Sequence, residues 1–109
     1  MKLFIDTSNS EKIIVGLDDK HFEAGSREEK SQKLLQFIDE LLSSKGQSAS
    51  GRKKVTFKDI TEIEVNTGPG SFTGLRVGVS VANTLGWVLG VLVNGCDLRK
   101  GEIIDIKYE

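Results

Sequence analysis

Residues 66–76 read Asn66-Thr67-Gly68-Pro69-Gly70-Ser71-Phe72-Thr73-Gly74-Leu75-Arg76. Before them, Ile60 to Asn66 sets Ile63 and Val65 against Glu62 and Glu64, the alternation of a strand with one buried side. After them, Phe72 to Leu89 predicts a long apolar helix. A strand that turns through glycines into a helix belongs to crossover-connected strands, so this stretch decides for an α/β fold. The glycines permit positive φ and bare their N–H groups, and Ser71 or Thr73 can cap the helix. Such a loop can cradle an anion at the positive end of the helix. It is not a Walker loop, because no Lys-Ser/Thr follows the last glycine. Nor is it the dinucleotide fingerprint: its spacing, G-x-G-x-x-x-G, is one residue too long, and no acidic residue follows about 20 positions on. A tight structural turn is the commoner use of such glycines.

Working outward, Lys2 to Asp6, Lys12 to Leu17 and Lys20 to Ala24 read as three strands, the last two joined by the turn residues Asp18-Asp19. They predict an antiparallel meander. Ser26 and Glu29 have capping-box spacing for a first helix, in which Leu34, Leu35, Phe37, Ile38, Leu41 and Leu42 recur on one side, and Gly46 suits its stop. Ser43 to Lys54 is a Ser/Gly/Lys-rich loop, and Thr56 to Asp59 can make one helical turn. Val91 to Val93 and Lys100 to Tyr108 are expected as further strands. The result is a mixed α/β sheet with a three-strand meander and two main helices.

Composition narrows the class. The chain has 109 residues, 28% of them charged and 38% apolar, with a net charge of −1. That excludes a disordered polyelectrolyte and a broadly basic nucleic-acid coat. The lone Cys96 can form neither an internal disulfide nor a cysteine-cluster metal site. Asp6 arrives too early for a signal peptide, so a reduced, cytoplasmic domain is expected. From Val65 to Cys96, the only ionisable side chain besides the cysteine is Arg76. Within it Val77 to Val93 is uncharged, but polar Ser80, Asn83 and Thr84 and three glycines favour a buried helix and strand over a membrane span.

Gly74, Gly78, Ala82 and Gly86 recur every fourth residue and form one small-residue stripe on the second helix. Interior glycine costs up to about 1 kcal/mol relative to alanine, so something is expected to approach the backbone closely along this stripe. Two readings stand equal: the chain's own sheet or first helix covers it, or a partner does. Val77, Val81, Leu85 and Val88 occupy the adjacent ridge and can serve the core.

Asp6-Thr7-Ser8 closes the first strand, an arrangement that can hold Mg²⁺ and phosphate and is equally a turn-forming cluster. His21 is the only histidine and has no triad partner at a fixed spacing. It is expected on a strand, facing solvent. Lys45, Arg52, Lys53 and Lys54 make a small basic patch in the loop, suited at most to weak RNA contact.

The string NTGPGSFTGLRVGVSVANTLG resembles the TsaB (YeaZ) family, the non-catalytic partner subunit of bacterial tRNA threonylcarbamoyladenosine synthesis. LFIDTS, SQKLLQFIDELL and TFKDITEIEV resemble that family's first strand, first helix and approach to the glycine loop, so the likeness runs from Lys2 to about Gly95. Departures are Lys30-Ser31 for the family's His-Ser and Gln36 where proline is common. The resemblance implies a ribonuclease-H-like lobe of the actin-like ATPase superfamily whose nucleotide chemistry has lapsed. Residues 1–109 are then expected as a single N-terminal lobe, without the family's second lobe.

Carried over by position, the resemblance implies an interface with a TsaD-type catalytic subunit at Leu34, Leu35 and Ile38 of the first helix and Gly74, Leu75, Gly78, Ala82 and Gly86 of the second. A bulky residue at Gly78 would then abolish assembly and leave the monomer folded. Asp6, Thr7, Ser8, Gly68, Gly70, Ser71 and Thr73 are candidates for a vestigial nucleotide loop. No catalytic residue and no metal is expected, and ATP with Mg²⁺ only at a site a partner completes. A TsaE-type ATPase, tRNA reached through the complex, and a homodimer of the isolated chain are further expected partners. The rival readings are an ATP- or metal-dependent hydrolase of the superfamily, including its peptidase labels, and a free-standing nucleotide- or RNA-binding module.

Overall fold

A computed structural model of the chain describes residues 1–9, 11–25, 30–44, 57–70, 72–101 and 104. Its elements follow in the order β1 (Lys2–Asp6), β2 (Lys12–Leu17), β3 (Lys20–Gly25), α1 (Lys30–Ser44), β4 (Glu62–Val65), α2 (Phe72–Leu89) and β5 (Leu92–Val93), with single 3₁₀ turns at Phe57–Asp59 and Leu98–Lys100. The sheet order is β3-β2-β1-β4-β5. β1–β2 and β2–β3 are antiparallel, and β1–β4 and β4–β5 are parallel. This is the expected meander beside crossover-connected strands.

Alternation decides which side of the sheet is covered. Leu3 and Ile5 of β1, Ile13 and Val15 of β2, Ile63 and Val65 of β4 and Val93 of β5 point to one side and are buried. Onto them pack Leu34, Ile38, Leu41 and Leu42 of α1 and Leu75, Val79, Val81 and Ala82 of α2. The other side carries charge, with ion pairs Lys2–Glu64 at 3.3 Å and Lys12–Glu23 at 3.1 Å. One packed face and one polar face is the usual state of sheets with antiparallel strands.

Several element ends differ from expectation for local reasons. β4 starts at Glu62 rather than Ile60, because Ile60 N–H closes the preceding 3₁₀ turn on Phe57 C=O (3.2 Å) and parallel pairing with β1 begins at Lys2 and Glu62. β5 starts at Leu92 because Val91 N–H turns back to Gly86 C=O of α2 (3.1 Å). The expected strand from Lys100 is not formed at its start: Leu98–Lys100 is a 3₁₀ turn that Gly101 ends with φ 93°. Its remaining residues, apart from Ile104, lie outside the described part, as do the capping pair Ser26/Glu29, Gly46 and the basic loop. Of the ridge expected to serve the core, Val81 is buried and Val77 and Leu85 partly so, whereas Val88 is 63% exposed near the helix end. His21 is exposed on β3, as expected, with its ring tilted against Phe4 at a centroid distance of 5.3 Å. No helix among the described residues is long and apolar enough to cross a membrane.

Candidate functional site

β1 and β4 run side by side in parallel, so their C-terminal ends bring Asp6-Thr7-Ser8 and Asn66 to Gly70 together. Asp6 Oδ1 accepts from Ser8 N–H at 2.9 Å and from Asn66 Nδ2 at 3.1 Å. Asn66 Oδ1 accepts in turn from Gly68 N–H at 3.0 Å, and its own N–H donates to Ile5 C=O at 2.9 Å. Burial by itself would push the Asp6 carboxyl up. Hydrogen bonds from the side chain and backbone of Ser8 and from Asn66, with the Lys12 charge, together outweigh it and hold the group below its ordinary value of 3.8. Asp6 is therefore an anchored carboxylate that organises both loops.

Gly70 lies directly over Ser8: a Cβ there would stand 2.4 Å from Ser8 Cβ and 2.9 Å from its carbonyl oxygen. Gly68 has φ 136° and precedes a cis peptide to Pro69. Crowding against Ser8 makes Gly70 a requirement of this loop-on-loop packing, and the positive φ favours glycine at Gly68. The candidate loop residues Asp6, Thr7, Ser8, Gly68 and Gly70 are thus brought together. Ser71 lies outside the described residues, and Thr73 sits inside α2 and exposed. Among the described residues no group of three or more His, Cys, Asp and Glu could hold a metal ion.

Thr7 connects this cluster to α2. Its side chain is fully buried, and its hydroxyl donates to Gly74 C=O and accepts from Gly78 N–H at 3.1 Å. Those two backbone groups form an i, i+4 pair, so a side chain just past the end of β1 reaches the hydrogen-bonding ladder of the helix. Only glycine allows that approach: a Cβ on Gly78 would stand 2.4 Å from Thr7 Oγ1. Further along, a Cβ on Gly86 would lie 2.3 Å from Val93 Cγ2 and 3.1 Å from Leu98 Cδ1.

The expected interface residues are corrected by this packing. Leu34, Ile38, Gly74, Leu75, Gly78, Ala82 and Gly86 are all buried within the chain itself. Of that set Leu35 alone is exposed, at 42%. The small-residue stripe has its close neighbour in β1 and β5, so it offers no surface to a partner. The solvent side of α2 consists instead of Thr73, Arg76, Ser80, Thr84, Trp87 and Val88, with Trp87 55% exposed. Apart from Arg76 this face is uncharged: Thr73, Ser80 and Thr84 are small and polar, and Trp87 and Val88 put apolar surface in water where a solvated helix normally carries charge.

Residues the sequence reading passed over hold the frame. Asn66 couples the two loops, Asn83 Nδ2 donates to Ile104 C=O at 2.8 Å, and Arg99 caps α2. Its Nε donates to Trp87 C=O at 3.0 Å and its guanidinium to Val88 C=O at 3.2 Å. An asparagine at a strand end is the signal that could have marked Asn66, whereas Asn83 inside α2 and Arg99, ten residues past its end, carry no such signal.

Comparison with known proteins adds to this geometry. Residues 26–97 match a family model described as TsaD: tRNA N6-adenosine threonylcarbamoyltransferase. The tRNA threonylcarbamoyladenosine biosynthesis protein TsaB of Bacillus subtilis is 46% identical over 37 residues, 34% of this chain and 16% of that protein. TsaB of Escherichia coli is 34% identical over 70 residues, 64% of this chain and 26% of that protein. YeaZ from Pseudomonas aeruginosa superposes with a TM-score of 0.63 at 24% identity, over 84% of this chain and 41% of that one. A structure described as an uncharacterized protein with similarity to peptidase YeaZ from Pseudomonas aeruginosa gives 0.61 at 25% identity, with the same two coverages. The chain thus spans less than half of each of these relatives. The five-stranded mixed sheet with its two helices is the ribonuclease-H-like, actin-like α/β arrangement.

Proposed function

We propose, for a chain that belongs to the TsaD family and within it is of the TsaB (YeaZ) type, a role as a non-catalytic subunit in tRNA threonylcarbamoyladenosine biosynthesis. In this role it docks on a TsaD-type catalytic subunit, makes no bond itself, and steadies the partner's lobe so that a tRNA surface can assemble. It works in the cytoplasm. The observation that carries the docking reading is the exposed, uncharged side of α2 running through Ser80, Thr84, Trp87 and Val88. Threonine and serine leave room for a partner helix, and the Trp87 indole supplies the large apolar anchor common at binding hot spots. The internally bonded Asp6 cluster supports the non-catalytic part, because its carboxylate is engaged with Ser8 and Asn66. ATP, Mg²⁺ and a TsaE-type ATPase belong to the assembled complex in this reading, and a homodimer through the same face is the state of the chain without its partner.

Co-expression with the cognate TsaD-type subunit, affinity capture and solution mass measurement test it. A one-to-one complex that Thr84→Glu disrupts, with Thr84→Ser retaining it, is the expected result. Failure to co-purify, or a complex indifferent to Thr84→Glu and Trp87→Ala together, removes this face as the docking surface. Titration of the isolated chain with Mg-ATP addresses the hydrolase reading: tight binding abolished by Asp6→Asn would favour it over the subunit role.

A further inference from the structure

After β5 the chain reverses through Val93-Asn94-Gly95-Cys96, closed by Val93 N–H to Cys96 C=O at 3.0 Å and Cys96 N–H to Val93 C=O at 2.9 Å. Asn94 and Gly95 have φ of 49° and 80°, the paired positive values for which Asn-Gly is the favoured sequence. Both residues are exposed, and no atom lies within 4 Å of where a Cβ on Gly95 would stand. The Asn94 side chain nevertheless has a fixed task. Its Oδ1 accepts from Val65 N–H at 2.8 Å and its Nδ2 donates to Val65 C=O at 3.0 Å, while its own N–H donates to Ile63 C=O at 2.9 Å. The carboxamide thereby supplies one more rung to the β4–β5 ladder, one residue before Asn66 and the glycine loop.

We propose that Asn94–Gly95 is a deamidation site whose chemistry unlatches the end of β4. The Gly95 nitrogen attacks Asn94 Cγ, a new N–C bond closes a succinimide ring, and the Cγ–Nδ2 bond breaks. Ammonia leaves with the hydrogen lost from Gly95 N–H. Water then adds to a ring carbonyl and opens the ring to aspartate or isoaspartate. Glycine in the second position puts no side chain in the path of the attack. The carboxamide that reacts is the one that forms the rung, so the rung must open first. The product rebuilds at most half of it: a carboxylate can still accept from Val65 N–H, but it has no hydrogen to give Val65 C=O, and its charge repels that oxygen and pushes the side chain off the strand. Isoaspartate also reroutes the main chain through the side-chain carbon. What is released is Val65 and, after it, Asn66, the residue that ties Asp6 to Gly68.

To test this, the full chain is aged in mildly alkaline buffer, folded and in urea. Conversion at Asn94 is followed by peptide mass spectrometry, and hydrogen exchange of the Val65 amide serves as the local readout. Conversion about tenfold slower in the folded chain than in urea is expected, because only the opened rung reacts. The modified fraction is expected to exchange the Val65 amide about tenfold faster, with β1–β2 amides unchanged. N94D made directly should show the same local loss. Equal conversion rates in the two states, no conversion in urea, or a modified chain with Val65 as protected as before each overturns the proposal.

Discussion

Along α2, the side turned to the sheet is Gly74, Gly78, Ala82 and Gly86, whereas the side turned away carries Thr73, Ser80, Thr84, Trp87 and Val88. On the first side the absence of side chains is itself the contact: it lets the Thr7 hydroxyl meet Gly74 C=O and Gly78 N–H. On the second side, side chains are present but charge is missing except at Arg76. Both are departures from an ordinary amphipathic helix, and they have different causes. The inner one is settled within the chain by backbone-to-strand packing. The outer one leaves apolar surface in water, and the proposed docking accounts for it.

Substitutions can separate the two faces, and the largest effect is expected at Gly78. Gly78→Leu forces a Cβ onto Thr7 Oγ1 and then adds three carbons. We expect a loss of about 3 kcal/mol or failure to fold, read by thermal or urea denaturation. A stable monomer carrying Gly78→Leu would break the assignment of this face to the core. Next comes Thr7→Val, which keeps the shape and removes the hydroxyl, leaving Gly74 C=O and Gly78 N–H without that partner. Its expected cost is about 1–2 kcal/mol in the same assay.

Gly86→Ala should cost about 1 kcal/mol, since crowding against Val93 and Leu98 side chains is partly offset by the better helix propensity of alanine. Trp87→Ala on the outer face should change stability by about 0.5 kcal/mol or less while weakening capture by the catalytic subunit. An equal fall in both would erase the distinction between the faces. The smallest effect is electrostatic. Because the folded Asp6 carboxyl titrates below 3.8, its stabilisation is fully present above that pH and disappears as pH falls through the lower folded value. Asp6→Asn should flatten that acid limb of a stability-versus-pH curve.

Much of the fold was legible from periodicity. The short apolar runs of Lys2–Asp6 and Lys12–Leu17, the alternation in Glu62–Val65 and the apolar stretch bounded by Phe72 and Leu89 are local patterns, and burial that repeats every second residue in a strand and every three to four in a helix gives them their meaning. The candidate site was half legible. Asp6 and the glycines were visible as residue types at strand ends, but their mutual contacts, Gly70 on Ser8 and Asn66 on Asp6, join positions some 60 residues apart. The starts of β4 and β5 were less readable: Thr61 bonds to Met1, 60 residues away, which no local pattern marks, whereas the bond of Val91 to Gly86 is announced only by Gly90 at the helix end.

By itself the sequence determined that Gly74, Gly78, Ala82 and Gly86 share one edge of a helix and that something must lie close to it, since spacing by four fixes their alignment whatever surrounds them. Only the tertiary structure decided what that something is. The rotation of a helix about its own axis is set by the neighbour it packs against, and here Thr7, just after β1, turned the glycines inward and left Trp87 facing out.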